Sequence, residues 1–428
     1  MRIIVHRGSN QIGGCITEIS TEKSKLLIDL GHNLPQGDAP AEDCMASEAA
    51  VHELCKGCDA IVYTHYHSDH IDLFQYVPDD VPQYIGSLAK QVMCVKLASL
   101  LQDGAQQPLQ RANLKRMDGF RTFEANRRFR VGEDIWVTPY FVSHSAADAY
   151  MFLVEADGKC VLHTGDFRAH GYLGKKLIEM LEHYVAPKGV DVLICEGTML
   201  NGENNPAPHE NEVKLGAIEQ MRRYKNVFVF CSSTDMERLA SFHAANMQMG
   251  NRPLICDEYQ KKLLEVFSNT AGRKSDLFLM DYKVVGIRKF NDKLLNWMGD
   301  AGFTMLVRTG KKHKRWVREL LPLLNPEETV LIYSMFHGYI LPEDANFNPR
   351  TKRFVELFPN FEYLHTSGHA DRDTLAAVCR TIRPREAIIP IHREENADFA
   401  TLNIGDELRS RITTSSKNVA GIEIIIRR

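Results

Sequence analysis

The stretch "THYHSDHIDL" (Thr64–Leu73) crowds His65, His67, Asp69 and His70 into six positions, all of them metal-ligand types. Four such groups could saturate one zinc, giving a closed structural site with no open position for chemistry. The spacing argues against that. Structural zinc sites take ligand pairs from separated segments, and these residues are too close together to form one relaxed tetrahedron. The apolar run "DAIVYT" reads as a buried strand leading straight into the cluster. On an extended segment His65 and His67 lie on the same side. Asp69 and His70 then sit where the chain turns into the helix-like "IDLFQYV". The two pairs can therefore face two adjacent ions.

Two ions need further ligands. His144 in "VSHSAADAY", Asp166 in "LHTGDFR" and His392 in "IIPIHRE" each follow an apolar, strand-like run. Any one alone would usually be an ordinary loop residue. Three of them at the C-terminal ends of separate strands, where sheet proteins gather functional groups, read jointly as the missing donors.

The elements that must position these groups are legible as patterns. The chain has 428 residues, 44% apolar and 25% charged, which is ordinary for a globular protein and long for one domain. "RIIVH", "CITEIS" and "KLLIDLG", separated by turn signals, read as a β-meander. "GSLAKQVMCVKLASLLQD" has helical apolar spacing, and strands dominate again from about 121 to 166. "GVDVLICEGTML" is a further buried strand, ending at Glu196. After the polar "NGENNPAPHENE" the character changes, and from about 210 to 355 β and α segments alternate as in a parallel sheet. A helix ("DTLAAVCRTI") and two strands ("EAIIPIH", "GIEIIIRR") close the chain.

The net charge of −3 neither announces nor excludes a nucleic-acid partner, since a local basic groove is enough. No apolar run approaches the ~20 residues that span a bilayer, and "MRIIVHRGSNQ" lacks the features of a signal peptide. Ten cysteines are too sparse for a disulfide scaffold and suit a reducing compartment. The expectation is a cytoplasmic protein with no membrane partner. Cys55 and Cys58 form a lone CxxC, read as structural or incidental.

"LLIDLG", "THYHSDH", "SHS" and "TGDFR" resemble the metallo-β-lactamase superfamily in order and context. "CEGTML", "TSGHA" and "PIHRE" further resemble its β-CASP nuclease branch, the ribonuclease J type in particular. The resemblance implies an α/β protein: a four-layer αββα fold with an inserted α/β β-CASP domain. The expected boundaries are 1–208 and 356–428 for the two parts of the metallo-β-lactamase domain and 209–355 for the insertion. It implies two zinc ions, with manganese as an alternative. His65, His67 and His144 would hold the first, Asp69, His70 and His392 the second, with Asp166 bridging and Asp29 orienting the ligand loop from behind. The glycine-rich opening matches the family only loosely. The further C-terminal domain of ribonuclease J has no counterpart before the chain ends at "IEIIIRR". A homodimer is expected.

The same resemblance implies a zinc-dependent phosphodiester hydrolase that cleaves RNA, exo- or endonucleolytically, through a hydroxide shared by the ions. Zinc lowers the pKa of bound water to about 7, and ions about 3.5–4 Å apart can clamp attacking and leaving oxygens. Their positive charge outweighs Asp69, Asp166 and the hydroxide, which suits an anionic substrate. The catalytic set is Asp69, Glu196 and His369. His369 matches the branch's general acid, with Glu196 orienting it and keeping it protonated. Histidine at position 392 goes with RNA-processing members, whereas DNA-repair relatives of the Artemis type commonly carry an apolar residue there. A DNA 5′-exonuclease, or a thioesterase or lactonase on the same fold, are the alternatives.

Single-stranded RNA is the expected partner. Ser367 and Gly368 precede a helix, whose N-terminus could hold a substrate phosphate. Ser232, Ser233 and Thr234 precede another, with plain N-capping as the commoner reading. "RTGKKHKRW" is the most basic segment, offering Arg308, Lys311, Lys312, Lys314 and Arg315 to phosphates and Trp316 for stacking, although a charge run is usually a solvated helix face. His163, His170 and His313 carry no partner pattern and read as structural or surface residues.

Overall fold

The structure, a computed structural model, describes residues 1–35, 41–102, 107–201, 206–413 and 422–425. The chain forms two compact units: residues 1–34, 41–207 and 368–428 in the first, residues 35–40 and 208–367 in the second.

Among the described residues the first unit carries a seven-stranded and a six-stranded sheet. The larger runs Ile422–Ile425, Arg2–Arg7, Ile16–Ser20, Lys25–Ile28, Ala60–Val62, Gln83–Gly86 and Arg121–Phe123 in spatial order. Its first strands are the expected meander, closed by a tight turn in which Thr21 N donates to Ser24 O at 2.9 Å. From Lys25–Ile28 onward the pairing is parallel. The smaller sheet runs Ala387–Ile391, Val192–Glu196, Lys159–His163, Ala149–Ala156, Ile135–Val142 and Phe129–Val131.

Strand direction is what matters for the site. Lys159–His163, Val192–Glu196 and Ala387–Ile391 pair in parallel, so their C-terminal ends lie side by side. Ile135–Val142 runs the same way, because two antiparallel pairings separate it from Lys159–His163. Asp166, Glu196, His392 and His144 thus leave the sheet at one edge. Asp29 and His65 leave the other sheet in the same manner, after the parallel strands Lys25–Ile28 and Ala60–Val62.

Alternation along the strands builds the layers. Val192, Ile194, Ile389 and Ile391 face a core shared with Ile3, Val5, Ile19, Leu26, Ile28 and Val62 of the larger sheet. Leu193, Cys195 and Ile388 face the opposite way, onto Leu375, Val378, Cys379 and Ile382. Those four lie on one stripe of the helix Arg372–Ile382, at the spacing of an amphipathic helix. Buried on both faces, these strands read as continuous apolar runs. The helix Ser87–Gln102 contacts the larger sheet at Gln83–Gly86 and Arg121–Phe123. Each fully buried Ile or Val contributes roughly 1.5–3 kcal/mol. Such a core outweighs the roughly 1–3 kcal/mol that each left-handed non-glycine residue costs, among them Asp29 (φ 61°) and His392 (φ 48°).

The second unit holds a six-stranded sheet in which every described pairing is parallel. Its order is Val284–Ile287, Leu254–Asp257, Phe303–Leu306, Asn226–Cys231, Thr329–Ser334 and Phe361–Tyr363. The last strand pairs Tyr363 with Tyr333, so this unit reaches Ser367 and does not stop at 355. Among the described residues, no helix is long and apolar enough to cross a membrane.

Candidate metal centre

Asp29 is the hinge on which the ligand loop hangs. It is fully buried, and its carboxylate accepts from Thr64 N at 2.7 Å, Thr64 Oγ1 at 2.8 Å and His70 Nδ1 at 2.8 Å. The proton on His70 Nδ1 leaves Nε2 to face the site, where it is buried and makes no hydrogen bond. Asp166 Oδ1 is buried and unsatisfied in the same way. Leaving a buried polar atom unpaired costs about 1–3 kcal/mol, a cost that a cation between these groups would remove.

The donor atoms fall into two groups that share one oxygen. His67 Nδ1 lies 3.1 Å from His65 Nε2 and 3.1 Å from His144 Nε2. Asp69 Oδ2 lies 3.1 Å from His392 Nε2 and 3.8 Å from His70 Nε2. Asp166 Oδ2 stands near four of them, 3.1 Å from His70 Nε2, 3.6 Å from His392 Nε2, and 3.8 Å from both His65 Nε2 and His144 Nε2. Zinc bonds of about 2.0–2.2 Å set neighbouring ligand atoms roughly 3–4 Å apart. The residues fit a metal centre.

The electrostatics agree. Burial pushes His65 and His144 well below the usual imidazole range and His67 down to about 4, so all three are neutral, the form that ligates metal. Burial also opposes charge on His70, yet Asp166, Asp29 and Asp69 raise it well above the ordinary value. Burial would raise Asp166, but His392, His70 and His369 hold its carboxyl well below the carboxylate range. The site calls for positive charge at its centre.

Behind the donors, partners fix the rings. His144 Nδ1 donates to Gly368 O at 2.6 Å, and His392 Nδ1 to Thr198 Oγ1 at 2.7 Å. Thr198 Oγ1 in turn donates to His392 O at 3.1 Å. His65 Nδ1 bonds Thr64 Oγ1 at 3.0 Å. Four histidines therefore commit Nδ1 to the protein and present Nε2, the usual way a protein orients metal-ligating imidazoles. Gly368 is required where it stands, since a Cβ there would come within 2.4 Å of Ser145 Oγ.

Glu196 ends its strand fully buried. Phe167 N donates to its Oε1 at 3.1 Å, and His369 Nδ1 lies 3.1 Å from Oε2. Burial opposes charge on His369, but Glu196 and Asp166 together raise its pKa to about 9. Its side chain is 20% exposed against 0% for Glu196. Its protonated form is therefore favoured at neutral pH, beside the candidate metal donors.

Thr198 and Cys15 escape the sequence reading. Thr198 stands two residues after Glu196 in "CEGTML", but nothing local says that it holds His392. Cys15 Sγ and one ligand atom each of His70 and His392 lie within 4.8 Å of one another.

The helix after Ser367 and Gly368 begins only at Arg372, and the Asp371 carboxylate already caps it, accepting from Thr374 N at 2.9 Å. Ser367 is the last residue of the second unit. Ser232, Ser233, Lys311 and Lys312 also belong to that unit. The cap of the helix Met236–Met247 is Asp235, not Ser232, Ser233 or Thr234; Ser232 Oγ instead accepts from Thr234 N at 3.4 Å. Trp316 is 1% exposed and packs in the core of the second unit, so no base can stack on it. Lys312 and Arg308 both pair with the buried Asp257, at 2.8 and 2.5 Å, which offsets part of the segment's charge. His163 is a buried histidine with protein partners, accepting at Nδ1 from Gly165 N at 3.1 Å. Burial raises the Cys55 and Cys58 thiols to about 11 and about 12, which leaves them unreactive.

Residues 28–225 match the β-lactamase superfamily domain, and residues 359–402 match the Zn-dependent metallo-hydrolase RNA specificity domain. The second match spans Gly368, His369 and His392. Ribonuclease J of Helicobacter pylori (strain B128) is 22% identical over 408 residues, covering 91% of this chain and 55% of that protein. Ribonuclease J of Mycobacterium tuberculosis (strain H37Rv) is 24% identical, covering 92% of this chain and 68% of that protein. The chain thus spans about half the length of the Helicobacter relatives, 55% of it. A crystal structure of a protein of unknown function from Enterococcus faecalis V583 matches with a TM-score of 0.71 over 99% of both chains at 17% identity, a likeness of fold. The chain thus carries a β-lactamase superfamily domain over residues 28–225 and resembles the ribonucleases J.

Proposed function

We propose that this chain is a zinc-dependent phosphodiesterase that cleaves single-stranded RNA. His65, His67 and His144 would hold one ion and Asp69, His70 and His392 a second, with Asp166 between them. When bound, the metal supplies Lewis-acid activation of water and of the phosphoryl oxygens. Asp29, Thr198 and the Gly368 carbonyl hold the ligand rings in place. His369 donates its proton to the leaving 3′-oxygen, and Glu196 keeps that ring oriented and charged.

The Glu196–His369 pair is the observation that carries this reading. A sugar alkoxide leaves poorly without a proton, and a positioned general acid contributes about 10²–10⁴-fold. A thiolate, with a pKa of about 8.5, leaves unprotonated at little cost, so a thioesterase has no use for the pair. Support for RNA comes from the specificity-domain match over residues 359–402 and from the ribonuclease J relatives.

The test supplies zinc- or manganese-loaded protein with matched labelled RNA and DNA, each bearing a 5′-monophosphate or a 5′-hydroxyl. A thioester and a lactone are run beside them. RNA loss is expected, as mononucleotides for exonuclease action or discrete fragments for endonuclease action. Cleavage of DNA alone, or turnover of the thioester or lactone with both nucleic acids intact, would overturn the proposal.

A further inference from the structure

We propose that Arg7 is a positioning residue for one half of the metal centre: through the loop 8–14 it sets Asp69 and His392, and so governs the second ion and not the first. This rests on the two-ion reading above but not on the substrate. Arg7 ends the strand Arg2–Arg7. Its Nε donates to Gly14 O at 2.7 Å, one terminal nitrogen donates to Gly31 O, and the other donates to Asp43 Oδ1 at 2.5 Å. The Asp43 side chain is fully buried, and Asn33 N and Met45 N also donate to it, each at 2.9 Å.

Both carbonyls that Arg7 holds belong to backbone lying against Asp69. A Cβ on Gly31 would stand 1.7 Å from Asp69 O. One on Gly13, at φ 78° and next to Gly14, would stand 2.8 Å from Asp69 Oδ2. The other end of the loop grips His392. Gly8 O accepts from His392 N at 2.6 Å, and Asn10 Oδ1 accepts from Arg393 Nη2 at 2.9 Å. His392 holds a left-handed backbone (φ 48°), which persists only where its surroundings enforce it. The first group has other supports: His65 Nδ1 bonds Thr64 Oγ1, and His144 Nδ1 donates to Gly368 O. The loop therefore bears on two donors of one ion.

An ion pair beside a loop ordinarily contributes to stability alone. Here two carbonyls and a carboxylate surround one planar group, which suits the fixed fork of an arginine. A lysine is a point charge that can pair with Asp43 without spanning Gly14 and Gly31. Arg7→Lys thus keeps the charge and removes the clasp.

Zinc titration of the metal-stripped full chain against a chelator tests this, with bound zinc counted per chain. The wild type should bind two ions. Arg7→Lys should weaken one of them by about 10–100-fold, the usual effect of losing support behind a ligand, and leave the other unchanged. In a His392→Ala background, where that ion has already lost a donor, Arg7→Lys should add nothing; beside His144→Ala it should still act. Wild-type-like binding by Arg7→Lys overturns the proposal. So does equal weakening of both ions, or an effect undiminished beside His392→Ala. Should Arg7→Lys fail to fold, Asn10→Ala, which cuts the loop's bond to Arg393, carries the same expectation, and unchanged zinc binding there overturns the proposal. A wild type that binds no zinc, or a single ion, overturns the two-ion reading and this proposal with it. Protein that binds two ions, loses one in Arg7→Lys and cleaves no RNA overturns only the substrate.

Discussion

His369 Nδ1 lies 3.1 Å from Glu196 Oε2, so a partly exposed imidazole is backed by a fully buried carboxylate. The same nitrogen stands 3.8 Å from Asp166 Oδ2, the oxygen shared by both donor groups. His369, Glu196 and the candidate metal donors therefore form one connected set.

That relationship predicts the alkaline limb of the rate. The active ring is protonated, and its pKa is raised to about 9, so turnover should hold through neutrality and fall as pH rises through about 9. Glu196→Gln removes a principal cause of the rise, and the limb should move to lower pH by about a unit, roughly tenfold in rate on that limb. A pH–rate profile that does not move in this variant would separate Glu196 from proton donation.

On the proposed ligand set, Asp29→Ala should weaken metal binding at His70 by about 10–100-fold, the usual effect of losing a partner behind a ligand. The carboxylate fixes both His70 Nδ1 and the Thr64 backbone. Chelator competition reads this directly, and undiminished metal retention would refute the role.

Gly31→Ala should destabilise the chain by several kcal/mol. A Cβ there would stand 1.7 Å from Asp69 O and 2.8 Å from His70 N, so the ligand loop would have to move. Thermal unfolding checks the loss; a melting temperature within a degree or two of wild type would show that the loop yields easily.

Acid stability should depend on Glu18. Burial would raise its carboxyl, but His6 and Lys25 hold it down, to about 2 from a usual 4.5. A depressed carboxylate stabilises the fold above its unfolded pKa, and this is lost as pH falls from about 4.5 through about 2. Glu18→Gln should cost on the order of 2 kcal/mol near neutrality and little at the acid end of that window. A difference between the proteins that stays constant from neutral pH down to about 2 would refute the assignment.

Much of this arrangement is legible in sequence because it is written in short runs. His65, His67, Asp69 and His70 follow one buried strand, and His144, Asp166 and His392 each follow another. Parallel pairing then collects what the runs deliver. Other features depend on partners distant in the chain. Thr198 matters through His392, a contact that no local spacing encodes. Trp316 looks available in a basic segment, but its helix turns it inward onto the sheet core. Phe361–Tyr363 is too short to stand out as a strand until Tyr333 pairs with it.

In the proposed reaction His369 protonates the leaving oxygen of a metal-held RNA phosphodiester. The most direct test is single-turnover cleavage by His369→Ala of RNA whose scissile 3′-oxygen is replaced by sulfur, with metal content measured alongside. On ordinary RNA the variant should lose about 10²–10⁴-fold while keeping its metal. On the sulfur-bridged RNA, whose leaving group needs no proton, it should approach the wild-type rate. An equal loss on both substrates, or loss of the metal with the imidazole, would rule out His369 as the proton donor.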